Sequence, residues 1–178
     1  MVTIRPATKT DLPELLKIYT PYVEASTASF DEVAPTLSTF TTQYEQIQHD
    51  YPYLIAESAG ELLGYCYAHA YSNRNAYQWS AEVTIYLKPA AQGQHVGTQL
   101  YQALEKQLIN QNIYNVFACI TGSNEASLIF HAHCGYAEVG HFKASGFKHG
   151  QWLDTIWMQK ELQPLSDNQP QPFIARTN

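Results

Sequence analysis

The sequence predicts a single α/β domain, a mixed sheet with helices on both faces. Three observations carry this. Stretches that alternate apolar and polar residues are interleaved with stretches of helical period, in the order β–α–α–β–β–β–α–β–α–β–β. A chain of 178 residues, 45% of them hydrophobic, is enough for one core and too short for two ordinary domains. "WSAEVTIYL" (79–87) runs directly into "AQGQHVGTQLYQALEKQL" (91–108), a strand, a glycine-bearing turn and an amphipathic helix.

Taken in order, "TIRPA" (3–7) reads as a short strand. "DLPELLKIYTPYVE" then starts a helix: Asp11 and Glu14 have capping-box spacing, Pro13 lies in the first turn, and Leu12, Leu15, Leu16 and Tyr19 form one apolar stripe. Residues 25–38 read as loop, and a second helix of weak period is expected over 39–49. "YPYLIAESAGELLGYCYAHAY" reads as a hairpin turning at Ala59-Gly60. In the strand at 79–87, Val83, Ile85 and Leu87 point to one side and Glu82, Thr84 and Tyr86 to the other. The next helix, from about 95 to 110, turns Val96, Leu100, Ala103, Leu104 and Leu108 inward. A strand at 114–120 precedes a short helix capped by Ser123 or Asn124 and ended by Gly135. Strands follow at 136–143 and 152–161, so residues 1–162 make the domain. The tail, 163–178, is rich in Pro, Gln and Asn and is expected to have no core of its own.

Composition excludes several classes of function. Only 15% of residues are charged, the net charge is −6, and the arginines are Arg5, Arg74 and Arg176, so no clustered basic surface for nucleic acid is expected. No apolar run approaches membrane-spanning length. Charges at Arg5, Lys9, Asp11, Glu14 and Lys17 argue against a signal peptide, and a cytoplasmic protein is expected. Cys66, Cys119 and Cys134 are odd in number and far apart; they predict no disulfide framework, and each reads as a small buried hydrophobe. His131, His133 and Cys134 do not make a metal site, because residues i and i+2 of a helix point to nearly opposite sides.

The turn at 92–98 holds no lysine or arginine. An anion there would be held by backbone N–H groups and the helix dipole, since the first N–H groups of a helix have no internal partner. Gln92 and Gly97 resemble the first and last fixed positions of motif A of the GNAT N-acetyltransferases, a Gln/Arg-x-x-Gly-x-Gly/Ala loop. His95 stands where that motif has its first glycine. "RNAYQWSAEVTIYL", "NEASLIFHAHCGY", "ASGFKHGQWLD" and "YVEASTASF" are similar to segments of the phosphinothricin acetyltransferase subfamily, and together they cover most of residues 2–161.

The resemblance implies the GNAT fold, with a central, mostly antiparallel sheet, and acetyl-CoA as cosubstrate without a metal. It implies that Ile85, Tyr86, Leu87, Gly93, Gln94, His95, Val96, Gly97, Thr98 and Asn124 hold acetyl-CoA. Glu82 would be the base that removes a proton from the amine, His131 a general acid or a substrate contact, and backbone N–H near Ile85–Leu87 the support of the carbonyl oxygen. Phe30, Arg74, Tyr77, Lys148 and His149 would form the pocket for a small anionic amino acid, acetylated on its α-amino group by direct transfer. A homodimer is expected. His95 is expected to have helical dihedrals, because positive φ is uncommon outside glycine. The rival reading is a module that binds acetyl-CoA without transferring acetyl groups; it draws on His95 in place of glycine, while Glu82 argues against it.

Overall fold

The computed structural model describes residues 1–176. Seven strands form one sheet: β1 (Thr3–Pro6), β2 (Tyr53–Ser58), β3 (Glu61–Ala70), β4 (Ser80–Leu87), β5 (Asn115–Thr121), β6 (Ala137–Lys148) and β7 (Gln151–Glu161). Four helices complete the domain: α1 (Leu12–Glu24), α2 (Leu37–Asp50), α3 (Val96–Asn110) and α4 (Glu125–His133). Their order along the chain is the one the periodicities predict.

The sheet order is β1-β2-β3-β4-β5-β7-β6, with β4 and β5 parallel and every other neighbouring pair antiparallel. Two tight turns set the hairpin registers. Ala59 and Gly60 have φ of 50° and 79°, and His149 and Gly150 have φ of 50° and 76°, the left-handed pair that a two-residue hairpin loop demands. One core lies under α3 and includes Leu100, Leu104 and Leu108, all fully buried against Cys66, Ala81 and Val116 of the sheet. The other lies under α1 and α2, where Leu12, Leu15, Val23 and Phe40 meet Tyr53, Ile55 and Tyr65. Each fully buried leucine side chain stabilises the fold by roughly 1.5–3 kcal/mol.

The start of α1 departs from expectation. Glu14 is not the partner of Asp11; it pairs with Lys17 on the surface. Asp11 instead accepts the Thr8 N–H at 2.7 Å and both terminal nitrogens of Arg5 at 2.8 Å, which ties β1 to α1. The capping box therefore lies one turn earlier than expected, with Thr8 as N-cap and Asp11 as its i+3 carboxylate, and the Arg5 guanidinium adds a bidentate charged pair to the same group. The second helix is longer than its weak period suggests, starting at Leu37 after the N-cap Thr36, whose Oγ1 accepts the Thr39 N–H at 3.2 Å.

The tail lies along its own chain. Trp79 donates to Gln171 O at 2.7 Å, Gln111 exchanges bonds with Ile174, and the Phe173 ring stacks on Tyr51 with centroids 5.1 Å apart. It has no core of its own and borrows an aromatic contact from the domain.

Candidate active site

The site exists because β4 and β5 part. Their pairing runs only from Ser80↔Asn115 to Glu82↔Phe117, after which both strands continue without each other. Lys88 N–H points toward β3, where it donates to Leu63 O, so alternation turns the N–H and C=O of Leu87 and Ile85 the other way, into the gap. The gap opens into a cleft of about 560 Å³. Glu82, Ile85, Tyr86, Leu87, Gly93, Asn124, His131 and Phe30 line it, so the cleft gathers candidates from four separate segments.

The turn after β4 leads into α3. The first helical bond runs from Gln99 N–H to His95 O, so the N–H groups of Val96, Gly97 and Thr98 have no acceptor within the helix. Gly97 is needed for packing: a Cβ there would lie 2.9 Å from the Phe130 ring of α4. His95 is the N-cap, with φ 60° and ψ 11°. The expectation of helical dihedrals is overturned. Both flanks of the turn are buried, Ala91 at 2% and Val96 at 1% exposure, so the path between them is set and His95 keeps the left-handed backbone that glycine would take freely. The ring itself is exposed. Gln94, His95, Val96, Gly97 and Thr98 do not line the cleft wall; they form the helix end beside it.

Glu82 sits on the wall of the cleft, with its side chain 23% exposed. Burial raises its carboxyl above the ordinary range, and His69, whose Nε2 lies 3.9 Å from Glu82 Oε2, opposes that rise. His131 is buried at 3% exposure. Its Nδ1–H donates to Ser127 O at 2.8 Å, which leaves Nε2 to accept from Tyr101 Oη at 2.9 Å. Burial pushes its pKa down to about 4, so the ring is neutral at pH 7 with both nitrogens engaged. Asn124 caps α4 by accepting the Ser127 N–H at 3.2 Å and faces the cleft.

The amino-acid-pocket candidates are not all brought together. Phe30 reaches the cleft by lying flat on Gly146, where a Cβ would come within 2.1 Å of its ring. Arg74 begins the short turn before β4 with an exposed side chain, and Tyr77 of that turn packs on Tyr71; neither lines the cleft. Lys148 is 4% exposed, and its ammonium donates to Val23 O and Ser29 O, each at 2.7 Å, so it binds the loop after α1 to the end of β6. His149 occupies the exposed hairpin turn.

Three residues escaped the sequence reading. Tyr22 clasps the end of β4, its hydroxyl donating to Leu87 O at 2.5 Å while Leu87 N–H reaches back to it at 3.4 Å; nothing in an α1 tyrosine signals this. Cys119 is exposed and lines the cleft, contrary to the reading of each cysteine as buried, because it stands on β5 where pairing with β4 has ended. His69 lies opposite Glu82 in the β3–β4 register. Among the described residues no group of three His, Cys, Asp or Glu side chains could hold a metal, and no helix is long and apolar enough to cross a membrane.

Residues 4–157 match the family model for an acetyltransferase (GNAT) domain. Over 162 residues the chain is 39% identical to a phosphinothricin N-acetyltransferase of Alcaligenes faecalis, covering 90% of this chain and 82% of that one. An L-methionine sulfoximine/L-methionine sulfone acetyltransferase of Pseudomonas aeruginosa is 32% identical over 164 residues, 91% of this chain and 95% of the relative. The fold superposes on a GNAT-superfamily phosphinothricin acetyltransferase of Sinorhizobium meliloti, solved in complex with AcCoA, with a TM-score of 0.91 at 34% identity over 96% of this chain and 93% of that one.

Proposed function

The chain belongs to the GNAT acetyltransferase family, and we propose that it acetylates the α-amino group of a small, anionic, amino-acid-like compound, of the class of phosphinothricin or the methionine sulfone and sulfoximine on which its relatives act. Acetyl-CoA supplies the acetyl group as a thioester. The cleft fits it: a gap of about 560 Å³ exposes unpaired strand edge and ends beside a helix N-terminus with unused N–H groups. Gly93, Gln94, His95, Val96, Gly97 and Thr98 would hold the pyrophosphate there through backbone N–H and the helix dipole. Ile85, whose N–H points into the gap, would steady the carbonyl oxygen. Leu87 is less suited to that role, since Tyr22 already occupies its N–H.

Glu82 is the general base of this reading. An amine near its reference pKa of about 10.4 is mostly protonated at pH 7 and must lose a proton before it can attack. A carboxylate whose pKa is raised by burial accepts that proton more readily than an exposed one. His131, neutral and doubly bonded, is better placed to orient Tyr101 at the cleft wall than to donate a proton itself. Phe30 would cover the substrate, and Arg74 and Tyr77 would receive its anionic end from the rim. Lys148 serves the pocket by holding the loop that carries Phe30, and His149 would border it.

Residues 1–162 would form the catalytic domain of a cytoplasmic homodimer. The exposed apolar side chains Phe142, Phe147 and Trp152 on the β6–β7 hairpin favour the dimer. The observation that carries the reading is the half-buried carboxylate of Glu82 in the wall of a cleft that ends at an open helix N-terminus. A module that only held acetyl-CoA would have no use for that carboxylate. Steady-state release of CoA across a panel of amino acids tests the function; release at the background rate with every α-amino compound would refute it.

A further inference from the structure

His69 and Glu82 are cross-strand partners in the β3–β4 register and share the sheet face that carries Tyr65, Tyr67 and Tyr86. His69 Nδ1 lies 3.1 Å from Ala70 O, and a carbonyl accepts, so Nδ1 carries the proton. Nε2 is therefore the free ring nitrogen, and it is the atom that faces Glu82, at 3.9 Å, about 1 Å beyond hydrogen-bond length. An unprotonated Nε2 and an ionised carboxylate turn lone pairs toward each other, so one proton held between them is favoured. The two residues also open to different spaces. Glu82 lines the larger cleft; His69 lines a second one of about 340 Å³, shared with Tyr19, Asp31, Gln43, Gln46 and Tyr67. With 38% of its side chain in contact with solvent, against 23% for Glu82, His69 offers a route to water separate from the cleft that the substrates would fill.

We propose that His69 is a positioning residue for Glu82, taking the proton that Glu82 removes from the amine and releasing it to water in the second cleft. The inference rests on Glu82 being the base. In the first transfer an N–H bond of the ammonium breaks and an O–H bond forms on Glu82. In the second that O–H breaks and Nε2–H forms, giving an imidazolium with both nitrogens protonated. The Nε2 proton then leaves to water and restores the neutral ring. The charged and titratable groups facing the pair are Tyr86 on β4, Tyr65 and Tyr67 on β3, Tyr19 on α1, Asp31 in the loop after it and Cys119 on β5; α2 contributes the neutral Gln43 and Gln46.

The test is the pH profile of kcat/KM in His69→Gln and His69→Lys. A protonated His69 lowers the pKa of Glu82, so removing it should move the acid limb up by about one pH unit and reduce plateau kcat about tenfold, with acetyl-CoA KM within about twofold. Lysine keeps the positive charge but does not cycle its proton near neutral pH, so it should return the limb to or below its wild-type position and leave kcat low. An unmoved limb with kcat within about twofold of wild type in His69→Gln overturns the inference. Glu82→Gln in the same assay separates the two readings. If it is inactive while His69→Gln is unaffected, only the role of His69 falls; if it is active, Glu82 is not the base and both fall.

Discussion

Asp11 and Glu82 are both carboxylates drawn partly out of water, and the fold treats them in opposite ways. At the corner of β1 and α1, Asp11 has 10% of its side chain exposed, a guanidinium at 2.8 Å and two donors from Thr8. Those bonds hold its pKa down to about 2. In the cleft, Glu82 has only His69 at 3.9 Å, and burial lifts its pKa. A charge whose partners are complete fastens two elements and has no further chemistry to offer. A charge left short of partners costs stability and remains able to accept a proton.

Breaking each carboxylate in turn separates the two roles. The largest effect is expected at Glu82. Glu82→Gln should lower kcat by about 10²-fold or more, roughly 2.7 kcal/mol on the barrier, while acetyl-CoA affinity barely moves. Its melting temperature should not fall, since a buried charge has been removed. Activity within about threefold of wild type at pH 7 would reject the assignment.

Asp11→Asn should do the reverse, costing about 2 kcal/mol of stability at pH 7, the equivalent of a pKa drop from 3.8 to about 2, and leaving kcat unchanged. The pH windows differ in sign as well. The folded pKa of Asp11 is depressed, so its contribution is present above pH 3.8 and is lost as pH falls through about 2. That of Glu82 is raised, so its ionisation weakens the fold as pH rises through the folded value. Denaturant melts of wild type and Asp11→Asn from pH 7 to pH 2 should converge at the acid end; parallel curves would show that the Arg5 pair contributes nothing.

Two smaller changes sharpen the contrast between strained and relaxed parts of the site. Arg74→Lys should raise the amine KM by about tenfold, or 1.4 kcal/mol, with kcat retained, because an ammonium does not reproduce the fork of a guanidinium. Equal kinetics would remove Arg74 from the pocket. His95→Gly should relieve a left-handed backbone and stabilise the protein by about 1 kcal/mol, raising Tm by about 2–4 °C. Its acetyl-CoA KM should change less than about tenfold, since backbone groups make the expected contacts. A variant that no longer binds acetyl-CoA would make the His95 ring itself a ligand.

Much of the site was legible locally. The clean alternation of 80–87 put Glu82 on the working face, and the Gly-bearing turn before Val96 marked the open helix end. Asn124 was a correct cap because capping depends on neighbours three residues away. What failed depended on distant partners. The capping box read at Asp11 and Glu14 lies one turn earlier, at Thr8 and Asp11, and Arg5 closes on the same carboxylate from β1. Cys119 was assigned inward because the end of β5's pairing is not written in β5. Nothing around Lys148 in the sequence signals its partners, since its ammonium is held by carbonyls more than a hundred positions earlier.

By itself the sequence determined the number, kind and order of the elements, the face each strand turns to the core, and the motifs that mark this family. Those follow from period, capping and turn chemistry, which act over a few residues. Only the tertiary structure decided where β4 leaves β5, that His69 stands opposite Glu82, and that His95 takes a glycine's backbone. Register and strand separation are settled by packing between segments far apart in the chain, and a turn held at both buried ends adopts the dihedrals its closure requires, whatever its residues would prefer alone.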